Sequence, residues 1–421
     1  MDSAAASPDR FSRAQWVLIV ILAAVNFTHM VDFVIMMPLG ERLMHELAIS
    51  PDQFGRAVAV YAFAAAVAGL LGSPVVNRFD RKSVLLGMYA GFAGSTLFCG
   101  LADSYELLLV SRILAGIFGG LASATIMAVI GDAFPPHRRG TATGAVMSSF
   151  AVASVAGLPI GLLLAGEFGR GTPFVVLAGL SVGVWVTAWL GMPSMRGHLT
   201  AKRASPWDEF REVVRKPAHL WAFAFTFSLV LGTFTVASFI GPYLMSLNGW
   251  TERDVAVIYL VAGLGTLVGM NVVGRAADRL GKRPVFLVMA GTAMVLCVVV
   301  TNLPKTPLWV AAGIMSLFMI FAAGRMVPAQ AMLIGVAAPR LRGGFMSLNT
   351  AIQNLSTGLA PMIAGAVVMR DTDGTLVGYP IVGVIGATAA AVSLALSRFI
   401  HPTTETGFVA PPVLDPEPVA V

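Results

Sequence analysis

The chain has 421 residues, of which 57% are hydrophobic and only 12% are charged, with a mean hydropathy of +0.80. A soluble domain is about 45–50% apolar and about 25% charged, so soluble, disordered and fibrous classes are excluded. The net charge is +6 with a pI of about 9.6. The basic residues fall between apolar runs, which points to membrane topology rather than to nucleic acid.

In chain order, a polar tail (1–14) precedes an apolar run from Trp16 that is too long for a signal-peptide core and is expected to remain as a first span. Apolar runs follow at 15–39, 54–76, 83–102, 106–131, 141–166, 173–192, 219–247, 254–276, 284–303, 307–336, 343–368 and 379–400. Each approaches the roughly 20 residues that a membrane-crossing helix needs. The expected fold is an all-α membrane protein of twelve transmembrane helices. A polar gap at 193–218, read as a cytoplasmic central loop, divides it into six-helix bundles at 15–192 and 219–400. The Pro-rich acidic tail, 401–421, reads as disordered and cytoplasmic. Cys99 and Cys297 lie inside apolar runs, where a thiol acts as a small hydrophobe, so no disulfide framework is implied.

Orientation follows from Lys and Arg. With the N-terminus inside, twenty fall on inner segments and six on outer ones: Arg42, Arg56, Arg170, Arg253, Lys305 and Arg370. Arg112 and Arg325 remain within spans. Both termini are therefore expected in the cytoplasm, with the chain multi-pass in a plasma membrane, as in a bacterial inner membrane. The halves also repeat. Asn77-Arg-Phe-Asp-Arg-Lys82 after span 2 answers Asp278-Arg-Leu-Gly-Lys-Arg283 after span 8 at an offset of 201. Pro136-His-Arg-Arg-Gly140 answers Pro339-Arg-Leu-Arg-Gly343 at an offset of 203. Duplicated halves are a common transporter plan, with substrate held near the midplane between them.

These motifs carry a family resemblance. Gly274-Arg-Ala-Ala-Asp-Arg-Leu-Gly-Lys-Arg283 resembles in full the loop signature of the major facilitator superfamily. Its first-half copy, Ser73-Pro-Val-Val-Asn-Arg-Phe-Asp-Arg-Lys82, is degraded, with Asp80 for a glycine and Asn77 for the acid. Leu108-Leu-Val-Ser-Arg-Ile-Leu-Ala-Gly116 is similar to the span-4 arginine motif, and Gly157-Leu-Pro-Ile-Gly161 to the span-5 antiporter motif with its proline one place late. With Asp32-Phe-Val-Ile-Met-Met-Pro38, the chain resembles over about 15–400 the twelve-span drug:proton antiporter branch, especially its arabinose-efflux-permease-like members. The resemblance implies two pseudo-symmetric bundles and gating roles for Asn77, Arg78, Asp80, Arg81, Gly274, Asp278, Arg279, Gly281, Gly157 and Pro159.

Asp32 is the only acid well inside a span. An ionised Asp at a helix centre costs about 2.5–3.5 kcal/mol on insertion scales, so such residues serve as proton relays or ion-pair partners. His29 lies three residues earlier on the same helical face, and Asn26 extends the polar stripe. Arg112 is the natural partner for Asp32: counting from the outer span ends, both lie roughly 9–10 Å deep. The resemblance places spans 1 and 4 on one central cavity. A nearby arginine favours the ionised carboxylate while desolvation favours the protonated one. Asp32, Arg112 and His29 are thus the expected proton-coupling set, and a permanent structural ion pair is the competing reading.

Arg325, in Gly324-Arg-Met-Val-Pro328, has two readings. It satisfies the carbonyl that Pro328 leaves without a donor, or it stands in the cavity wall. Asn349, Gln353 and Ser356 in span 11 follow a helical pattern, and span 7 offers Phe234 and Tyr243 among other aromatic and hydroxyl groups. An aromatic cavity with scattered polar groups suits an amphipathic organic molecule. Small residues at spacing four in spans 4 and 5 let helices approach closely, and Pro159 is expected to kink span 5.

The expected function is proton-coupled export by a monomer, with protons, a small organic substrate and the lipid bilayer as partners. Uptake or export of a sugar, nucleoside or similar metabolite is the alternative. No cofactor is expected beyond the proton gradient: no phosphate-binding lysine loop appears, and the six histidines lack metal-ligand spacing. An intramembrane enzyme is disfavoured, because Asp32 has no second membrane carboxylate and no HExxH motif is present.

Overall fold

The computed structural model describes residues 11–76, 78–200 and 206–402. Long helices build twelve rods: spans 1 to 6 are Arg13–Ile35, Pro51–Val76, Arg81–Leu101, Tyr105–Ala133, Arg138–Phe168 and Thr172–Gly191. Spans 7 to 12 are Pro217–Asn248, Glu252–Leu280, Lys282–Thr301, Leu308–Val336, Arg342–Val367 and Tyr379–Leu396. Eleven of these are long and apolar enough to cross a membrane. Span 11 is long enough at 26 residues, but its polar residues lower its apolarity. Those groups are spent inside the protein: Asn349 accepts from Thr226 at 2.7 Å, and Ser356 donates to the Phe227 carbonyl at 2.7 Å. Pairing of this kind lets a polar helix cross a bilayer.

Local sequence sets the ends and breaks. Ser12 and Gln15 form a capping box at span 1, and Thr251 with Asp254 does the same at span 8. Gly249 ends span 7 at φ +68, a left-handed conformation that favours glycine. The expected kink near Pro159 takes the form of a π-helical turn at Ala153–Gly157, where the Leu158 amide reaches back to Ala153. Span 10 is likewise interrupted at Arg325, three residues before Pro328. The central loop holds more structure than its composition suggests. Helix Pro206–Arg215 buries Val213 in the second bundle's core, and Glu212 pairs with Arg340. A two-stranded ribbon, Met369–Arg370 with Leu376–Val377, joins spans 11 and 12.

Close packing within the first bundle rests on the small-residue faces. A Cβ at Gly116 or Gly120 would strike the backbone of Tyr61 or Ala65 in span 2, and one at Gly157 or Gly161 would strike Val31 or Ile35 in span 1. The cores show how the bundles meet. Toward the end that the charge count assigns to the outside, one apolar cluster is shared, with Met36, Leu39 and Phe54 packed with Val236, Phe239 and Ile240. Toward the inner end the cores divide, one around Leu22, Phe92 and Ile126 and the other around Phe225, Phe286 and Phe345.

Two ion pairs cross between bundles at the outer end, Arg42 with Glu252 at 3.2 Å and Arg370 with Glu41 at 2.9 Å. Backbones touch there as well: a Cβ at Gly55 would overlap the Pro361 carbonyl, and one at Gly365 the Pro51 carbonyl. The outer end is therefore sealed. Gly55→Val is expected to shift the bundles toward an outward-open arrangement by at least about tenfold, roughly 1.4 kcal/mol. Spin labels on Ala48→Cys and Thr372→Cys would report the outer ends moving apart; unchanged distances would show that this contact does not hold the seal.

Candidate functional site

Asp32 and Arg112 meet as the sequence predicts. Arg112 Nη1 donates to Asp32 Oδ2 at 2.9 Å, and both residues are completely buried. The other carboxylate oxygen, Oδ1, accepts from the Thr96 hydroxyl of span 3 at 3.1 Å. With both oxygens accepting, the geometry is that of a carboxylate. The Tyr61 ring lies 4.3 Å from the Arg112 guanidinium carbon, a cation–π contact from span 2. Thr96 and Tyr61 escape sequence reasoning, because a lone hydroxyl or aromatic in an apolar run carries no pattern.

His29 joins this cluster. Its ring sits 5.9 Å from that of Tyr61 and 5.8 Å from that of Phe92, and a Cβ at Gly119 would overlap it. Among the described residues neither His29 nitrogen has a hydrogen-bond partner, nor has the Tyr61 hydroxyl, nor Nε and Nη2 of Arg112. Buried polar atoms are rarely left so, and here they gather around one carboxylate. Asn26 stands apart from it, donating to Ser149 at 2.8 Å and tying span 1 to span 5.

The second bundle departs further from expectation. Tyr243 does not line a cavity: its hydroxyl donates to the Leu303 carbonyl at 2.9 Å, and its ring packs 4.5 Å from that of Tyr379 in the outer core. Asn349 is likewise turned into the contact with span 7 rather than into open space. Gln353 is half-buried. Phe234 is half-buried too, and its ring meets Phe33 of the first bundle at 6.0 Å. Phe33, next to Asp32, was not singled out by its sequence, since one phenylalanine among many apolar neighbours is silent. Arg325 is completely buried and reaches span 7, donating to Thr233 at 2.6 Å and to the Leu229 carbonyl at 3.2 Å. It does not serve the carbonyl of Gly324 that Pro328 leaves free.

The two signature loops behave differently. In the first, Arg81 is buried and pairs with Asp132 at 2.9 Å. Asp80 caps span 3, accepting from the Lys82 and Met195 amides at 3.2 and 2.7 Å and from the Ser194 hydroxyl at 2.8 Å. Arg78 is exposed, and Asn77 lies outside the described residues. In the second, Asp278 and Arg279 are exposed, Gly274 is half-buried, and Gly281 turns the chain at φ +93.

Comparison with known proteins agrees with this architecture. The sequence pattern of the Major Facilitator Superfamily matches residues 21–361 and 222–413. The chain is 29% identical over 344 residues to the MFS-type transporter YceJ of Bacillus subtilis, covering 81% of this chain and 87% of that one. It is 28% identical over 255 residues to the putative transporter AraJ of Escherichia coli, covering 59% and 62%. Among solved structures, a bacterial homologue of the human lysosomal transporter Spinster, inward-facing and unoccupied, aligns with a TM-score of 0.72 at 18% identity over 93% of this chain and 98% of that one. The nucleoside transporter NupG aligns with a TM-score of 0.72 at 14% identity over 92% and 100%. At these identities the likeness concerns the fold.

The Asp80 cap offers a test of the first signature loop. Partial burial opposes its charge, but the Met195, Ser194 and Lys82 donors and nearby Arg196 outweigh it and hold the carboxyl below its ordinary value of 3.8. A carboxyl depressed on folding stabilises the fold fully above its ordinary value, and that share fades as pH falls through the depressed one. Asp80→Ala is expected to cost about 1 kcal/mol at neutral pH and to cost less in acid. Thermal unfolding of both proteins in detergent between pH 3 and 7 would reveal this; a pH-independent difference would contradict it.

Proposed function

Because the chain belongs to the major facilitator superfamily, we propose that it is a secondary active transporter exporting a small amphipathic organic molecule in exchange for protons. On this reading it resembles the arabinose-efflux-permease-like drug:proton antiporters, with both termini in the cytoplasm of a bacterial inner membrane. The observation that carries the reading is the enclosed Asp32–Arg112 pair, joined by Thr96 and flanked by His29 and Tyr61.

The cycle follows from alternating access. With the outer end sealed, Asp32 is enclosed and held by Arg112. Parting of the outer ends breaks the cover over span 1 and gives the carboxylate a route to external protons. A protonated Asp32 no longer answers the charge of Arg112, which loosens the hold between spans 1 and 4. Return to the inward-facing shape releases the proton toward the cytoplasm as substrate reloads. On this reading His29, on the same helical face and with both nitrogens unpartnered among the described residues, passes that proton. One elementary charge moving down 100 mV supplies about 2.3 kcal/mol, enough for roughly a fifty-fold substrate gradient.

Inside-out vesicles loaded with a pH dye test both coupling and direction against a panel of dyes, organic acids, nucleosides and sugars. Flux into such vesicles that collapses the proton gradient is the expected result; flux only in the opposite sense would replace export by uptake. Asp32→Asn is expected to cut proton-linked flux by at least about 100-fold, roughly 2.7 kcal/mol of lost coupling. A variant that still responds to an imposed pH step would overturn the role of Asp32.

A further inference from the structure

Arg325 is a buried cation that the proton cycle leaves unused. It stands at the break in span 10, closing helix Leu308–Gly324 and opening helix Met326–Val336. One nitrogen, Nη2, is engaged by Thr233 and Leu229; the other two, Nε and Nη1, have no hydrogen-bond partner among the described residues. Among the described residues it forms no ion pair, and the sequence explains why. From 217 to 402 the acids are Glu252, Asp254, Asp278, Asp371 and Asp373, all at helix ends or in loops. Arg325 sits eleven residues from Val336 at the inner end of its span, about 16 Å of helix, beyond the reach of any of them.

The internal repeat offers a partial comparison, because the offset that carries span 1 onto span 7 carries Arg112 onto Gly313, and Arg325 lies twelve residues further along span 10. The offset of 201 that relates the signature loops also carries Asp32 onto Thr233 and Phe33 onto Phe234. Arg112 in span 4 donates to Asp32, and Arg325 in span 10 donates to Thr233. Phe33 and Phe234 meet across the two bundles, with one arginine site on either side. The first half supplies its own anion. The second places a hydroxyl in the same seat and leaves the guanidinium unanswered.

A guanidinium stays protonated in proteins, and an enclosed charge with unmatched donors is costly until a counter-charge arrives. We infer that Arg325 is the anion seat for the transported molecule, so that the substrate is an amphipathic organic acid. Its carboxylate, or an equivalent oxyanion, takes the donors of Nη1 and Nε, and its apolar body lies toward Phe33 and Phe234. The inference rests on the transporter reading above and names its substrate class. It also accords with export. An interior-negative potential drives an anion outward and a proton inward, so one exchange moves two charges in the same electrical sense, whereas uptake of the anion would oppose the field.

Binding without any gradient separates this inference from the proton cycle. Purified protein in phosphatidylcholine nanodiscs, which carry no anionic lipid, is titrated with 1-naphthaleneacetate and decanoate and with their neutral amides. The acids are expected to bind at least about tenfold more tightly than the amides. Arg325→Gln and Thr233→Asp, the latter placing a resident carboxylate in the seat, are each expected to remove that preference. Both should also raise the unfolding temperature of the ligand-free protein, because each relieves an uncompensated charge; an arginine needed only for structure would give a lower temperature on replacement by Gln. Equal binding of acids and amides, or an acid preference that survives Arg325→Gln, would overturn the inference. So would chloride or phosphate alone occupying the seat as well as the organic acids do. None of these outcomes depends on whether Asp32 couples protons.

Discussion

A charge removed from water must be answered by another charge, and the first bundle is organised around that requirement. Arg112 and Asp32 are both wholly enclosed, and each would be costly alone. The idealised cost of burying one ion is of order 20 kcal/mol, several kcal/mol after relaxation, and mutual attraction repays it only with good geometry. Here the carboxylate is fully engaged, by Arg112 and by Thr96, while the guanidinium keeps two nitrogens unbonded and leans on the face of Tyr61. The pair is therefore unevenly satisfied. A bond of that kind is a weak device for holding helices together and a good one for releasing them when the carboxylate takes up a proton.

The surrounding packing divides the molecule into parts that stay rigid and parts that separate. Glycines in span 4 let its backbone meet that of span 2, and glycines in span 5 admit the Val31 and Ile35 side chains of span 1. Between bundles the shared apolar core and the ion pairs are concentrated at the outer end, while toward the inner end the two cores are separate clusters, with Leu70 of span 2 packed against the second. Few, half-buried ion pairs add little to hold the ends together, and a glycine-to-carbonyl contact at Gly55 can part without unpacking either bundle. Motion is thus directed to the interface where Phe33 and Phe234 meet, beside the buried charge pair.

Sequence reasoning reached the twelve spans and the meeting of Asp32 with Arg112 for one reason: charges are so rare in an apolar chain that their depth alone restricts their partners. The same rarity argument fails for neutral groups. Thr96 and Tyr61 complete the site from spans 3 and 2, yet nothing in their neighbourhoods distinguishes them from packing residues. That Tyr243 faces the outer core is not legible because span 7, apolar on all sides, gives no azimuth, and the polar stripe of span 11 does not say whether Asn349 meets a cavity or a neighbouring helix. The outer pairs join Glu41 to Arg370 and Arg42 to Glu252, contacts across hundreds of residues that only the tertiary arrangement brings together. Helix Pro206–Arg215 was hidden by its charged, Pro-flanked composition, though Val213 is fully buried.

The duplicated halves are alike in fold and unlike in charge, and that difference gives the molecule an electrical direction. Each half places an arginine from its fourth span against the matching position of its first. In one half that position is a carboxylate, so the site is neutral as it stands and becomes positive when a proton joins it. In the other it is a threonine, so the site is positive from the start. Between them runs the contact of Phe33 with Phe234, one of the apolar contacts that join the bundles. A proton gained by the first site raises the positive charge on the whole assembly, while an anion at the second lowers it. A proton on the first site and an anion at the second would attract each other within one low-dielectric body, so the proposed exchange has to keep the two occupancies apart through the alternation of the bundles rather than through charge.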